Sequence, residues 1–399
     1  MSHPIRVLSL YEGFFAGGAR ILHTDVIVGL HGREQQHSVL SLTSEARREG
    51  TVQRMQDDPR YQRLADAGVP IHSLAREAGA TPPERHDFTD AELQFVAGLV
   101  ADADVVVCLK EQPLGVLLAL RDRGMMPDVP VIVCLHRSDP THSGAALSWL
   151  VEASQTGLVT STISCAESTR DAYLAAGVEP AEQRVVANGI DTQRFTPGSS
   201  RQLRRTRRAL GIHKSAPVVV FAARFDAMKD PGLFLRAVAE HSARRDDTHY
   251  VMCGAGMTWE NDAFRYLVEA SGITDPSRLH PLGIRNDMPR IYQVADIVAL
   301  TSAFGEASPL CLLEGAACGA TPVTTDVGDA ARATDGIGLV TAHDAAQIAA
   351  AWDLALSQRP MMRRASLSAR PHFGRERMVA QYRSAIASAR ATATITAPS

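Results

Sequence analysis

Short, almost unbroken runs of Val, Ile, Leu and Cys recur along this chain, and most are followed by a stretch of helical character. Ile5–Leu10, Ser38–Leu42, Asp104–Lys110, Pro130–His136 and Thr160–Cys165 form one series. Pro217–Ala223, His249–Cys253, Arg278–Leu282, Ile297–Leu300 and Thr321–Thr325 form a second. A strand wetted on one face alternates apolar with polar residues. Continuous apolar runs belong to strands covered on both faces, the condition of a parallel sheet between layers of helices. The expected class is therefore α/β. Between the two series lie the turn Asn188-Gly-Ile-Asp191 and a Pro/Gly/Ser stretch after Phe195, and 399 residues exceed what one ordinary core encloses. Two domains follow, residues 1–193 and 194–372, with helix over 373–391 and a tail over 392–399.

One region breaks the rhythm. Ser44–Asp90 is rich in Arg, Asp, Glu and Pro, carries a single short strand candidate at Val69–Leu74, and contains a loop from Gly79 to Asp87. Such an excursion is either a substrate-side feature or a solvated insertion. Arg201–Arg208, with its five arginines, reads as a solvated helix. A net charge of −3 supplies no global field for nucleic acid. The six Cys sit inside apolar runs without zinc-ligand spacing, as reduced core residues of a cytoplasmic protein do. The N-terminus lacks the apolar segment of a signal peptide, and no run of eighteen apolar residues offers a transmembrane segment.

In parallel sheets, ligands sit beyond the carboxyl ends of the strands, and that is where the chemically distinctive residues fall. In the first half these are the Gly17-Gly18 loop before a helix and His136, each of which also has a purely structural reading. In the second half they are Arg224 and Lys229 (one of only three lysines), the Gly254-Ala-Gly256 turn, Gly283-Ile284-Arg285, and the stretch from Ser302 to Gly319. That stretch reads as a loop opening a helix, with Ser308 as N-cap, Pro309 at the first helical position and Gly319 at the end. Glu306 lies before the helix start and Glu314 within an apolar helix, where a carboxylate needs a partner or a ligand. An Arg–Lys pair facing a helix N-terminus suits a diphosphate. Glu314 could then hold a ribose diol and Glu306 sugar hydroxyls. The alternative is a capped helix whose glutamate pairs with an arginine.

These residues resemble those of the retaining GT-B glycosyltransferases of family 4, also called glycosyltransferase group 1. Glu306 and Glu314 match the family's E-x7-E, and Arg224 and Lys229 its R-x4-K. The Gly17-Gly18 loop, the Asn188 turn and the Gly254 turn occur in family order. The likeness is strong from about Val185 to Val340 and thin from Ser44 to Gln112. It implies two Rossmann-like domains facing each other across a cleft, with the 373–391 helix returning to the first. It further implies a nucleotide-sugar co-substrate, UDP- or GDP-linked, with neither a cofactor nor a metal. By the family's pattern Arg224 and Lys229 grip the diphosphate, and backbone at Gly17, Gly18, Ser308, Pro309 and Leu310 completes its cradle. Glu314 holds the ribose, Glu306 a sugar hydroxyl, and His136 lies near the sugar. Gly254 belongs to the donor site, and Gly283, Ile284 and Arg285 pass by the base. Ala223 and Ala307 stand where the family usually has Gly; the first is expected to tighten the space near the phosphates and the second to reshape the sugar subsite.

The expected activity is a hexosyl- or other glycosyltransferase (EC 2.4) working by front-face attack with retention on a small soluble acceptor, in specialised metabolite biosynthesis. A lipid-linked or cell-envelope glycan acceptor is the alternative, disfavoured because Ser44–Asp90 lacks a basic amphipathic helix. A catalytically silent sugar-nucleotide-binding protein is the reading from another class. No nucleic-acid partner is expected, and a homodimer is compatible with the sequence.

Overall fold

The computed structural model describes residues 3–15, 17–48, 51–77 and 83–396. The chain divides into two compact units, residues 1–188 with 376–399, and residues 189–375. The first break thus falls inside the Asn188-Gly-Ile-Asp191 turn, rather than at 193/194.

The first unit is built on β1 (Ile5–Tyr11), β2 (Gln35–Thr43), β5 (Ile71–Arg76), β6 (Val105–Leu109), β7 (Val131–Leu135), β8 (Val159–Ser164) and β9 (Glu182–Val185). All pair in parallel, in the order β5-β2-β1-β6-β7-β8-β9. The excursion holds more structure than its composition suggests. An antiparallel hairpin of β3 (Glu45–Arg48) and β4 (Thr51–Arg54) precedes a helix, Pro59–Asp66, capped by the Asp58 carboxylate at 2.8 Å from the Arg60 N–H. Part of the expected Gly79–Asp87 loop, residues 79–82, lies outside the described residues.

The second unit contains β10 (Val218–Ala222), β11 (His249–Cys253), β12 (Leu279–Pro281), β13 (Ile297–Leu300), β14 (Thr321–Thr325) and β15 (Leu339–Thr341). These are again parallel, in the order β12-β11-β10-β13-β14-β15. The unbroken apolar runs have a direct explanation here. Val218, Val220, Val251 and Val298 enter the core on one face of the sheet, while Val219, Phe221, Tyr250 and Ile297 enter the core on the other. Chain order runs outward in both directions from the β10/β13 pair, so the strand order reverses between these two neighbours. In the first unit the same reversal lies between β1 and β6. A crevice at the carboxyl ends of such a pair is the usual ligand position in open α/β sheets.

Three expectations need correction. The helix Arg375–Thr396 runs through most of the supposed tail, with the Thr392 hydroxyl bonded back to the Ser388 carbonyl at 3.1 Å; only 397–399 lie outside the description. It packs on the first unit, where Met378, Tyr382 and Ile386 are buried and the Tyr382 ring approaches His23. The arginine-rich helix Ser200–Ala209 is not solvated throughout. Arg207 is buried, donating to the carbonyls of His213, Ala216 and Val294 and facing Asp296 at 3.8 Å. Ser308 is not the N-cap of the helix Leu310–Cys318. Pro309 is extended (ψ 104) and occupies that position, so the helix begins one residue after it. Gly319 does end the helix in the left-handed region, at φ 96. Among the described residues, no helix is long and apolar enough to cross a membrane.

Candidate active site

In the second unit the segments leaving β10 and β13 are stitched together at the reversal point. The Thr301 hydroxyl, buried just after β13, donates to the carbonyls of Lys229 (3.1 Å) and Asp230 (3.0 Å). The Ala303 N–H donates to the Met228 carbonyl at 2.9 Å. This brings the Lys229 ammonium onto the Glu306 carboxylate, with the Ser302 hydroxyl donating to the same oxygen, Oε1, at 2.5 Å. Glu306 is only 5% exposed. A carboxylate that dry is tolerable because an ammonium and a hydroxyl offset its lost hydration.

Arg224 does not join this pair. Its guanidinium is largely exposed and faces the Asp226 carboxylate at 2.9 Å. Asp226 also accepts the Lys229 N–H through Oδ1 at 3.0 Å, so one carboxylate fixes the loop that carries both cations. Neither Asp226 nor Ser302 is distinguishable by sequence spacing alone, because each acts only through the turn that folding creates around it.

Glu314 sits on the half-buried side of its helix. The partner it needs is Tyr292, a buried phenol hydrogen-bonded to it. Burial pushes the Glu314 carboxyl up to about 7, against the pull of Tyr292 and Arg194. The folded state therefore holds a proton here that the unfolded chain releases near pH 4.5. Stability contributed by this group is fully present below about pH 4.5 and is lost as pH rises to about 7. Thermal unfolding of wild type and Glu314→Gln across that range is expected to show the wild type falling relative to the variant. A flat or rising difference would refute the assignment.

The other residues of this unit singled out by the resemblance lie in the loops beyond β11, β12 and β13. Gly254 donates to the Gly283 carbonyl at 2.8 Å. It takes φ 143, and a Cβ there would run into the Ala223 carbonyl oxygen, so the close approach of these two loops requires glycine. Ile284 is exposed, and Arg285 forms a two-pronged pair with Asp287 at 2.8 and 2.9 Å. Ser308 and Pro309 lead into the helix that starts at Leu310.

Gly17, Gly18 and His136 belong to the first unit. Gly17 precedes the helix Gly18–Leu30 in an extended conformation, without a side-chain cap bond. Both glycines are exposed, and a Cβ at Gly18 would meet nothing within 4 Å, so local packing does not demand a glycine there. His136 follows β7. Burial, with Lys110 and Arg20 adding to it, pushes its imidazole down to about 3, so it is neutral near pH 7. Among the described residues, no group of three His, Cys, Asp or Glu side chains is arranged to hold a metal ion.

Two family models match the chain: "Glycosyl transferase 4-like domain" over residues 17–189 and "Glycosyl transferases group 1" over residues 216–358. A D-inositol 3-phosphate glycosyltransferase of Corynebacterium jeikeium (strain K411) is 38% identical over 159 residues, 38% of this chain and 38% of that protein. One from Mycobacterium ulcerans (strain Agy99) is 33% identical over 220 residues, 52% of this chain and 46% of that protein. The match thus spans less than half the length of each of these relatives. Among solved structures, Anabaena Alr3699/HepE in complex with UDP aligns with a TM-score of 0.78 at 17% identity, over 96% of this chain and 100% of that one. A glycosyltransferase from Rickettsia africae ESF-5 aligns with a TM-score of 0.72 at 14% identity, over 97% and 99%. At these identities the likeness is one of fold.

Proposed function

The chain belongs to the group 1 glycosyltransferases, and on that premise we propose that it transfers a sugar from a nucleotide-diphosphate donor to a small soluble acceptor. The observation that carries this reading is the Lys229–Glu306–Ser302 cluster beside Arg224 at the reversal point of the second sheet. A diphosphate arriving there would draw Lys229 away from Glu306 and share it with Arg224. Glu306 would then be free to accept a hydroxyl of the transferred sugar. Glu314, reached through the same helix, would accept from the ribose. The exposed Ile284 would offer the base an apolar surface.

The proposed chemistry is displacement on one face of the sugar. The bond between the anomeric carbon and the diphosphate oxygen breaks, and the acceptor oxygen bonds to the same face. The acceptor proton passes to the departing diphosphate, with retention of configuration. No protein nucleophile is nominated. The positive charge that stabilises the leaving group comes from Arg224 and Lys229, so the reaction as proposed needs no metal. Neutral His136 could donate or accept a hydrogen bond but would not act as a charged acid.

UDP is the favoured nucleotide, since it is the ligand in the complexes of the Anabaena protein. The test is a thermal-shift series with UDP, GDP, dTDP and ADP, each with and without EDTA. Ligand at a hundredfold excess over its dissociation constant stabilises the native state by about 2.7 kcal/mol. UDP is expected to raise Tm, EDTA to leave that rise unchanged, and Lys229→Ala to reduce it. A preference for GDP would transfer the donor assignment to that base. A rise abolished by EDTA would overturn the metal-free mechanism, and no rise with any nucleotide would overturn the donor site itself.

A further inference from the structure

The second unit carries a cavity of about 560 Å³ at the end of its sheet opposite the candidate active site. Asp296, in its wall, lies just before β13, and its carboxylate accepts the N–H of Val218, the first residue of β10, at 2.9 Å. Lys229 and Glu306 come after the same two strands. The five residues of β10, about 17 Å of strand, thus separate the cavity from the diphosphate clamp.

Five cations line this cavity. Arg204 and Arg207 come from the helix Ser200–Ala209, Lys214 from the segment after it, and Arg359 and Arg363 from the helix Arg359–Ser368. Asp296 is the one acidic residue among the described residues of the lining, and its charge is already shared. The Arg359 guanidinium pairs with it, and Arg207 faces it at 3.8 Å. Arg363 donates to the Gly319 carbonyl at 3.2 Å. The side chains of Arg204 and Lys214 are exposed and make no hydrogen bond or ion pair with any described residue. The crowding of positive charge reaches into the wall. Burial pushes the Arg207 guanidinium down from its ordinary value, Asp296 opposes that push, and Arg359 adds to it. In a chain whose net charge is −3, so one-sided a cavity is a local feature rather than a sample of the whole surface.

We propose that this cavity is a second anion site, one that binds a compact oligophosphate without a nucleobase. Cations gathered in a concave wall focus their field, and an anion of several charges is what offsets a surplus of this size. Guanidinium forks match phosphate oxygens, and the volume is that of a small-ligand site. A base would need a ring or a broad apolar surface to lie against, and no aromatic side chain is among the described residues of the lining. A membrane surface would need large apolar side chains to insert, and none of the exposed ones lines the cavity. The site is independent of the transfer reaction inferred above, since none of its residues belongs to the diphosphate clamp.

The test is calorimetric titration of the full chain with inorganic tripolyphosphate, in EDTA and at constant ionic strength, with UDP present in saturating amount to occupy the diphosphate clamp. Arg204→Gln and Lys214→Gln each remove a cation without stranding a carboxylate. Each is expected to weaken tripolyphosphate binding about tenfold, the scale of one hydrogen bond to a charged group. Arg208→Gln removes an exposed arginine of the same helix that does not line the cavity, and is expected to leave binding unchanged. An equal loss in all three variants would overturn the site in favour of diffuse attraction to a basic face, as for a large polyanion. Absence of binding, or binding that neither Arg204→Gln nor Lys214→Gln weakens, would overturn it outright. Adenosine triphosphate carries the same triphosphate with a base attached and is expected to bind no more tightly; tighter binding would overturn the exclusion of a base. Unchanged Tm in the three variants reports that each one folds. Failure of UDP to bind wild type would instead overturn the donor reading, and the three variants would still report on this cavity.

Discussion

Lys229→Ala is expected to lower sugar transfer by about 10²-fold or more, the usual loss when one fixed charge opposite a developing anion is removed. The same change has a second consequence in the free protein. Lys229 is the cation on Glu306, which is 5% exposed and otherwise held at Oε1 by the Ser302 hydroxyl. Removing one partner of a buried pair strands the other charge, at a cost of about 3–5 kcal/mol where burial is complete. Lys229 retains some exposure, so the cost here should be smaller but measurable as a fall in Tm. The double variant Lys229→Ala, Glu306→Gln separates the two effects. It should recover much of the lost stability, because the stranded charge is gone, and none of the lost turnover. The check is turnover of the nucleotide-sugar whose nucleotide stabilises the wild type, including its slow hydrolysis without acceptor, beside thermal unfolding of both variants. Wild-type turnover in Lys229→Ala would remove it from the chemistry. An unchanged Tm would mean that the pair contributes nothing to the free fold.

The split between what the sequence discloses and what it hides follows physical lines. The parallel sheets are legible because strands such as Val218–Ala222 bury both faces, and that demand is written residue by residue. The runs imply parallel α/β sheets; the GT-B fold is what the resemblance carried by Arg224, Lys229, Glu306 and Glu314 implies, and the solved structures of the same architecture agree with it. The hairpin β3–β4 is not legible, since its four-residue strands carry charged residues with no apolar alternation. Helix ends are missed where a proline has two uses: Pro309 can open a helix or stand just outside it, and its observed ψ of 104 decides for the latter. The tail looks unstructured by composition, yet the packing of Tyr382 and Ile386 on the first unit carries the helix onward to Thr396.

At the candidate site, the residue types are visible in the sequence and their partners are not. Lys229 and Glu306 lie far apart in sequence and meet because β10 and β13 are neighbours in the sheet. Asp226, Ser302 and Tyr292 matter only through contacts that exist after folding.

The other large effect is expected from a single methyl group outside the cluster. Gly328→Ala should reduce turnover by about 10²-fold, the scale at which a displacement of about 1 Å in a catalytic group is felt. Gly328 follows β14 at φ 59, and a Cβ there would overlap the Glu306 carbonyl oxygen. The loop after β14 is the backing of the Glu306 loop. Thr325 donates to the Ser302 carbonyl at 2.7 Å, and the Asp329 N–H donates to the Ala307 carbonyl at 3.3 Å. Ser302 and Ala307 bracket Glu306, so relief of the overlap is expected to shift this loop and with it the carboxylate on Lys229. The left-handed backbone adds its own penalty, roughly 1–2 kcal/mol for a residue with a Cβ. Gly336→Ala isolates that penalty, because Gly336 has φ 72 and nothing within 4 Å of its built Cβ. The two variants should lose comparable stability from the backbone, and Gly328→Ala should lose more in total. Only Gly328→Ala should lose turnover. Equal turnover in the two would mean that the position of the Glu306 backbone is not critical to the reaction, and that Glu306 has no part in holding the transferred sugar.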